Sequence, residues 1–276
     1  MMSLINSLFD ISGKVAVVTG GAGVLCSEIC TALAKCGVKV AILDIAFDAA
    51  KELARRIASD GFVAIAVKAD VTRKEELEWA RQQILNELGC IDILINGAGG
   101  NIQQATTNDD NPFFDLPEDA LRAVCELNLL GTVFACQVFG KTFAERGEGV
   151  IINISSVNAF RPLTRVPAYA ASKAGVVNFT QWLAVHMAQN YSPKIRVNTI
   201  APGFFLTKQN RYLLIDESTG ELTQRAKTIL AHTPMRRFGD PSDLIGTVIW
   251  LCSDASSFVT GAVITVDGGF SAFSGV

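Results

Sequence analysis

The sequence predicts an α/β protein: a doubly wound parallel sheet with helices on both faces, in a single domain. Three observations predict it. Short runs rich in Val, Ile and Ala, such as KVAVVT at Lys14 to Thr19 and VKVAIL at Val38 to Leu43, have the length of buried strands. Each is followed by a stretch with helical spacing of its apolar residues, and that alternation is the pattern of βαβ units. The first run also enters a glycine-rich turn, Gly20-Gly21-Ala22-Gly23, that opens a helix. With 276 residues, 49% of them hydrophobic, the chain can bury one large core, and no stretch reads as an interdomain linker.

Taken in order, the chain begins MMSLINSLFDISGK, which lacks both a basic segment and a long apolar core, so a signal peptide is not expected. After the first strand and its turn, Val24 to Lys35 reads as a helix whose small residues permit close packing on a sheet. Glycines in such a turn let the backbone approach a pyrophosphate at a helix N-terminus. The second strand ends at Asp44, whose carboxylate can accept hydrogen bonds from both hydroxyls of an adenine ribose and would repel a 2′-phosphate. Ile45 and Ala46 bring no cation there, so NAD is expected rather than NADP; capping of the helix from Phe47 to Ser59 is the alternative role. Phe62 to Val67 is a third strand, followed by Asp70 and Val71, then a helix from Arg73 to Leu88 that Asp70 could cap. Ile91 to Ile95 is a fourth strand, ending in Asn96-Gly97-Ala98-Gly99.

Asn101 to Pro117 is a polar loop longer than most connections, of the kind that carries function in compact domains. A long helix to Glu145 follows, with Asn128 in its apolar middle, where an amide must find partners. Val150 to Ile154 is a strand ending in Ser155-Ser156, and a helix opens near Pro167, proline being tolerated at a first helical position. Tyr169 and Lys173, four apart, share one face of that helix. A nearby ammonium and the helix dipole both favour a phenolate, and Ser156 could donate to a carbonyl oxygen that Tyr169 protonates. Lys194 to Ile200 is a further strand, with Ala201-Pro202-Gly203 turning away from it and Thr207 beyond. A helical flap is expected over about 204–234, then a helix and the strand VITVDGG.

Ser156, Tyr169 and the YxxxK lysine Lys173, in this setting, resemble the short-chain dehydrogenase/reductase family from Gly13 to Gly269. The resemblance implies a Rossmann-type fold and alcohol–ketone interconversion with a nicotinamide cofactor. Asn128, Ser156, Tyr169 and Lys173 would be catalytic, with Lys173 also holding the nicotinamide ribose and Asn128 ordering a water. The implied cofactor set is Gly20, Gly23, Val24, Leu25, Asp44, Asp70, Val71, Asn96, Gly97, Ala98, Gly99, Tyr169, Lys173, Pro202, Gly203 and Thr207. Two motifs depart from the family's TGxxxGxG and NNAG: the middle glycine comes one place early at Gly23, Cys26 replaces the last, and Gly97 replaces an asparagine. The family also implies a homotetramer or homodimer pairing its two long helices.

For substrate, Asn101, Asn158, Arg161, Lys208, Asn210 and Arg211, with Arg165, flank the expected site, and arginine suits a carboxylate. NAFRPLTR, FFLTKQNR, HTPMRRFG and the tail GGFSAFSGV are similar to bacterial family members described as D-mannonate oxidoreductases (fructuronate reductases). A gluconate or other sugar dehydrogenase, a 3-oxoacyl-type ketoreductase and a non-catalytic nucleotide sensor are the alternatives. Net charge of −3 without a basic stripe disfavours nucleic acid, and no unbroken apolar run approaches the roughly 18 residues of a membrane span. Seven cysteines without a CxxC pair and only two histidines, His186 and His232, argue for free thiols in a cytoplasmic protein and for no metal site.

Overall fold

The structure is a computed structural model that describes residues 4–207 and 211–275. In chain order its elements are α1 (Leu4–Leu8), β1 (Val15–Thr19), α2 (Val24–Lys35), β2 (Lys39–Asp44), α3 (Phe47–Ser59), β3 (Ala64–Lys68), α4 (Lys74–Leu88) and β4 (Ile93–Asn96). The second half adds α5 (Glu118–Cys125), α6 (Gly131–Arg146), β5 (Gly149–Ile154), α7 (Pro167–Asn190), β6 (Ile195–Pro202), α8 (Arg211–Leu214), α9 (Gln224–His232), α10 (Ile245–Cys252) and β7 (Val263–Val266). Among the described residues the strands form one seven-stranded sheet in the order β3-β2-β1-β4-β5-β6-β7, every pair parallel.

Strand alternation builds two cores from one sheet. Ala16 and Val18 of β1, Val40 and Ile42 of β2, and Ile93 and Ile95 of β4 pack with α2, α3 and α10 on one face. Their neighbours Val15, Val17, Ala41, Leu43 and Leu94 pack with α4, α6 and α7 on the other. Successive side chains of a strand point to opposite faces, so a strand covered on both sides must be apolar throughout. The order reverses direction between β1 and β4, which opens a crevice at their carboxyl ends.

Two expectations need correcting. The segment Ala201-Pro202 does not turn away but continues β6, paired with Thr265 and Val266 of β7. β5 ends at Ile154 opposite Ile200, so Pro202 lies beyond the β5 ladder and its missing N–H leaves no β5 acceptor short of a donor. The long helix is not uniform: Glu126–Leu130 forms a π-helical turn between α5 and α6. The whole span Glu118–Arg146 is also long and apolar enough by composition to cross a membrane, with an 18-residue window of mean hydropathy 1.5. No unbroken run marks it, because Asn128, Gln137 and Lys141 interrupt the apolar residues. Half of that window is buried, and Ala135, Phe139 and Phe143 lie in the second core.

Candidate active site

A cleft of about 970 Å³ runs along the carboxyl edge of the sheet across the β1/β4 reversal. Its floor at one end is the glycine turn. Gly20 has φ +62°, and a Cβ there would lie 2.7 Å from Cα of Ala98, so only glycine fits on both counts. Gly23 caps α2 from an extended conformation, its N–H donating to the Gly20 carbonyl at 3.0 Å. Val24 and Leu25 then open α2 against the cleft. Asp44 sits at the end of β2 and lines the cleft, its carboxylate accepting from the backbone N–H of Ala22 at 2.9 Å and of Ala46 at 2.8 Å. Asp70 and Val71 line it as well. The Asp70 carboxylate accepts from the N–H and the hydroxyl of Thr72, a local turn rather than a cap on α4.

Two of the three motif departures, Cys26 and Gly97, explain each other. A Cβ built on Gly97 would lie 2.1 Å from Sγ of Cys26, so the sulfur occupies the space any side chain at position 97 would need. Glycine at 97 is therefore the counterpart of cysteine at 26. Burial pushes the Cys26 thiol up to about 12, which leaves it a neutral packing group beside the turn.

At the other end, β5 delivers Ser156 and α7 delivers Tyr169 and Lys173 to the same wall. A buried polar chain holds those elements together. Asn96 donates to Asn153 at 2.8 Å, Asn153 to Thr180 of α7 at 2.9 Å, and Thr199 of β6 to the same Thr180 hydroxyl at 2.7 Å. Ser155 adds a bond to the Lys173 carbonyl at 2.9 Å. Asn96 thus ties strands together and does not line the cleft, the structural role for that position. Asn128, fully buried in the π-helical turn, accepts from the Gly100 N–H at 3.0 Å and donates to the Gly100 carbonyl at 2.7 Å. A Cβ on Gly99 would meet Oδ1 of Asn128 at 2.7 Å and Nζ of Lys173 at 3.1 Å, so those two groups converge on one glycine.

Comparison with known proteins gives the same picture along nearly the whole chain. A family model described as Enoyl-(Acyl carrier protein) reductase matches residues 22–271. The uncharacterised oxidoreductase UxuB of Bacillus subtilis is 47% identical over 276 residues, 97% of this chain and 98% of its own length. A Haemophilus influenza structure provisionally described as a D-mannonate oxidoreductase with bound NAD is 43% identical, with a TM-score of 0.91, over 99% of this chain and 100% of that one. A Burkholderia cenocepacia gluconate 5-dehydrogenase in complex with NADP and tartrate is 30% identical, with a TM-score of 0.87, over 97% and 99%. The chain belongs to the short-chain dehydrogenase/reductase family. It is an oxidoreductase of that family.

In this short-chain dehydrogenase the electrostatics differ from the sequence expectation of an acidified phenol. Burial holds the Tyr169 phenol above its usual value, and the neighbouring Ser156 hydroxyl pulls the other way. Lys173 is 4% exposed, its Nζ donates to the Ile154 carbonyl at 2.8 Å, and burial lowers it to about 8. Its Nζ is 5.6 Å from the Tyr169 ring centroid. Desolvation thus disfavours the charged form of both groups.

The substrate candidates separate. Asn101 and Asn158 line the cleft. Arg161 does not: its guanidinium donates to the Ser271 carbonyl at 3.1 and 2.9 Å and serves the C-terminal tail. Arg211 is exposed at the start of α8 and off the cleft, as is Arg165 before α7. Lys208 and Asn210 lie outside the described residues. The flap itself is helical, with α8 and α9 packed through Leu214, Ala226 and Ile229, and it contributes Tyr212 and Arg225 to the cleft. Arg225 escaped the sequence reading. Its signal was an arginine in the first turn of a helix capped by Thr223, where the helix dipole disfavours a cation.

Proposed function

We propose that the protein is an NAD-dependent oxidoreductase that interconverts an alcohol and a ketone of a sugar acid, D-mannonate and D-fructuronate being the favoured pair. The observation that carries the reading is the convergence of Ser156, Tyr169 and Lys173 on one wall of a cleft whose other end is a glycine turn facing Asp44. The cleft suits a dinucleotide. Gly20 and Gly23 line it at the N-terminus of α2, where a pyrophosphate would rest, Asp44 stands where an adenine ribose would lie, and Pro202, Gly203 and Thr207 line the cleft as well. Held by those residues, a nicotinamide would supply the hydride acceptor for oxidation and the hydride donor for reduction.

The remaining work falls to this chain's own residues. In reduction, the Ser156 hydroxyl donates to the carbonyl oxygen, and Oη of Tyr169 delivers the proton as negative charge develops there. In oxidation the same phenol oxygen takes the proton from the carbinol. Lys173 stabilises that phenolate and offers donors to the nicotinamide ribose, while Asn128 fixes the Gly100 backbone beside it. The relatives described for mannonate and gluconate support a sugar-acid substrate; gluconate 5-dehydrogenation on the same scaffold is the second reading. A homotetramer or homodimer fits the exposed indole of Trp182 on α7, which stacks on the partly buried rings of Phe179 and His186.

The test is NAD-linked turnover across aldonates, keto-uronates, neutral polyols and 3-oxoacyl substrates, with Tyr169→Phe beside the parent. The expected result is preference for D-mannonate or D-fructuronate and a loss of about 1,000-fold in kcat for the variant. Undiminished turnover in Tyr169→Phe defeats the mechanism, and preference for a neutral or acyl substrate defeats the substrate class.

A further inference from the structure

The cleft also carries a cation that has no counter-charge among the described residues. Arg225 projects from the first turn of α9, is half-buried, and lines the cleft together with Asn158, Leu163 and Tyr212. Among the described residues no carboxylate lies within ion-pairing distance of it; the acids of the chain that form ion pairs do so elsewhere. Its one hydrogen bond to a described side chain goes to the Thr164 hydroxyl, at 3.2 Å. A second arginine, Arg165, adds unfavourable positive charge beside it. A half-buried guanidinium that meets a neighbouring cation and the positive end of its own helix is held at a cost that an anion would relieve.

A second, independent observation points to the same place. Asn158 is 2% exposed, and its Nδ2 has no hydrogen-bond partner. Its Oδ1 accepts from the Leu163 N–H at 2.8 Å, one residue before the Thr164 that meets Arg225. Its own N–H donates to Oγ of Ser156 at 3.2 Å. One short loop therefore links the catalytic serine, an unused buried amide donor and the Arg225 guanidinium. Buried donors without partners are rare in folded proteins, and this one, on a cleft lined also by a half-buried guanidinium, describes a complement for acceptor oxygens.

We infer that Arg225 is the residue that binds the substrate's carboxylate, with Nδ2 of Asn158 donating to a substrate oxygen between it and the reacting carbon. This deepens the sugar-acid reading and rests on it. It moves the carboxylate contact from Arg161 and Arg211 to the flap helix. Because α9 belongs to the flap, the carboxylate would also pin that flap over the cleft, so an acidic substrate would help enclose its own site. Arginine suits the role through two parallel donors, and lysine replaces it only in part.

The experiment compares Arg225→Gln and Arg225→Lys with the parent on D-mannonate and on D-mannitol, which lacks the carboxylate, together with NAD affinity and thermal unfolding. The expected result for Arg225→Gln is a fall of about 100-fold in kcat/KM for D-mannonate, carried by KM, with Arg225→Lys intermediate. D-mannitol turnover and NAD affinity should not change, and Arg225→Gln should unfold no earlier than the parent because it removes a costly charge; where the parent is inert toward D-mannitol, the split between KM and kcat on D-mannonate decides. Parent-like D-mannonate kinetics in Arg225→Gln overturns this inference while leaving the proposed function standing. An equal loss on D-mannitol, or a loss in kcat alone, also overturns it by showing a general role in the fold. A parent enzyme that turns over neutral polyols and no aldonate overturns both.

Discussion

The pairing of Cys26 with Gly97 predicts a measurable coupling. Gly97→Ala places a methyl 2.1 Å from the Cys26 sulfur, far inside any real contact distance, and 3.0 Å from the Thr19 carbonyl oxygen. Gly97 has an ordinary negative φ, so the penalty is steric and not conformational. Overpacking of this kind costs about 1–3 kcal/mol. Cys26→Ala removes the sulfur from a buried site and costs about 1 kcal/mol by itself. In the double variant the new methyl meets Cβ of residue 26 at an ordinary 3.7 Å, leaving only the tight approach to the Thr19 carbonyl. The double variant should therefore be more stable than the sum of the single changes by about 1–2 kcal/mol. Urea unfolding of the four proteins measures this, and NAD affinity should follow the same order because both residues border the cleft. Additive effects, within about 0.5 kcal/mol, would show that sulfur and glycine do not compete for one space.

Other outcomes follow from the same structure. Asp44→Ser should weaken NAD at least tenfold and narrow its advantage over NADP, since hydrogen bonds to a charged group contribute about 1.5–3 kcal/mol; an unchanged ratio of the two KM values would remove Asp44 from the ribose. Thr180→Val strands the Asn153 amide and the Thr199 hydroxyl without their shared acceptor, and should cost about 1–3 kcal/mol in urea unfolding, whereas Thr180→Ser keeps the bonds. Lys173 is lowered to about 8 by burial, below the 10.5 of an unfolded chain. Between those values the unfolded state holds more protons, so the penalty of burying the ammonium is present in full below pH 8 and relieved as pH rises. Relative to Lys173→Met, the cofactor-free protein should gain on the order of 3 kcal/mol across that window, and a flat difference would show that Lys173 is neutral or solvated throughout.

Much of this molecule is decided by local pattern. Runs such as VAVVT and VIINI are apolar at every position because helices cover both faces of the sheet, and a strand with that burial can be read without knowing its neighbours. Tyr169 and Lys173 share a wall because helical spacing alone puts them there, and Gly20 had to be glycine because a sharp turn precedes a helix. Side chains whose role depends on a partner far along the chain behave otherwise. Arg161 and Arg225 are alike as residues in polar stretches. The first reaches across 110 positions to the Ser271 carbonyl, and the second comes to the cleft only because the flap folds back over it. Cys26 and Gly97 look like two separate losses of family pattern until the β1 turn and the end of β4 are side by side. The sequence by itself determined the sheet, the glycine turn and the helix that carries Tyr169 and Lys173, because each follows from spacing within one element. Tertiary structure alone decided which cation faces the cleft, which motif changes compensate and which way burial moves the phenol and the amine, because those depend on what packs against them.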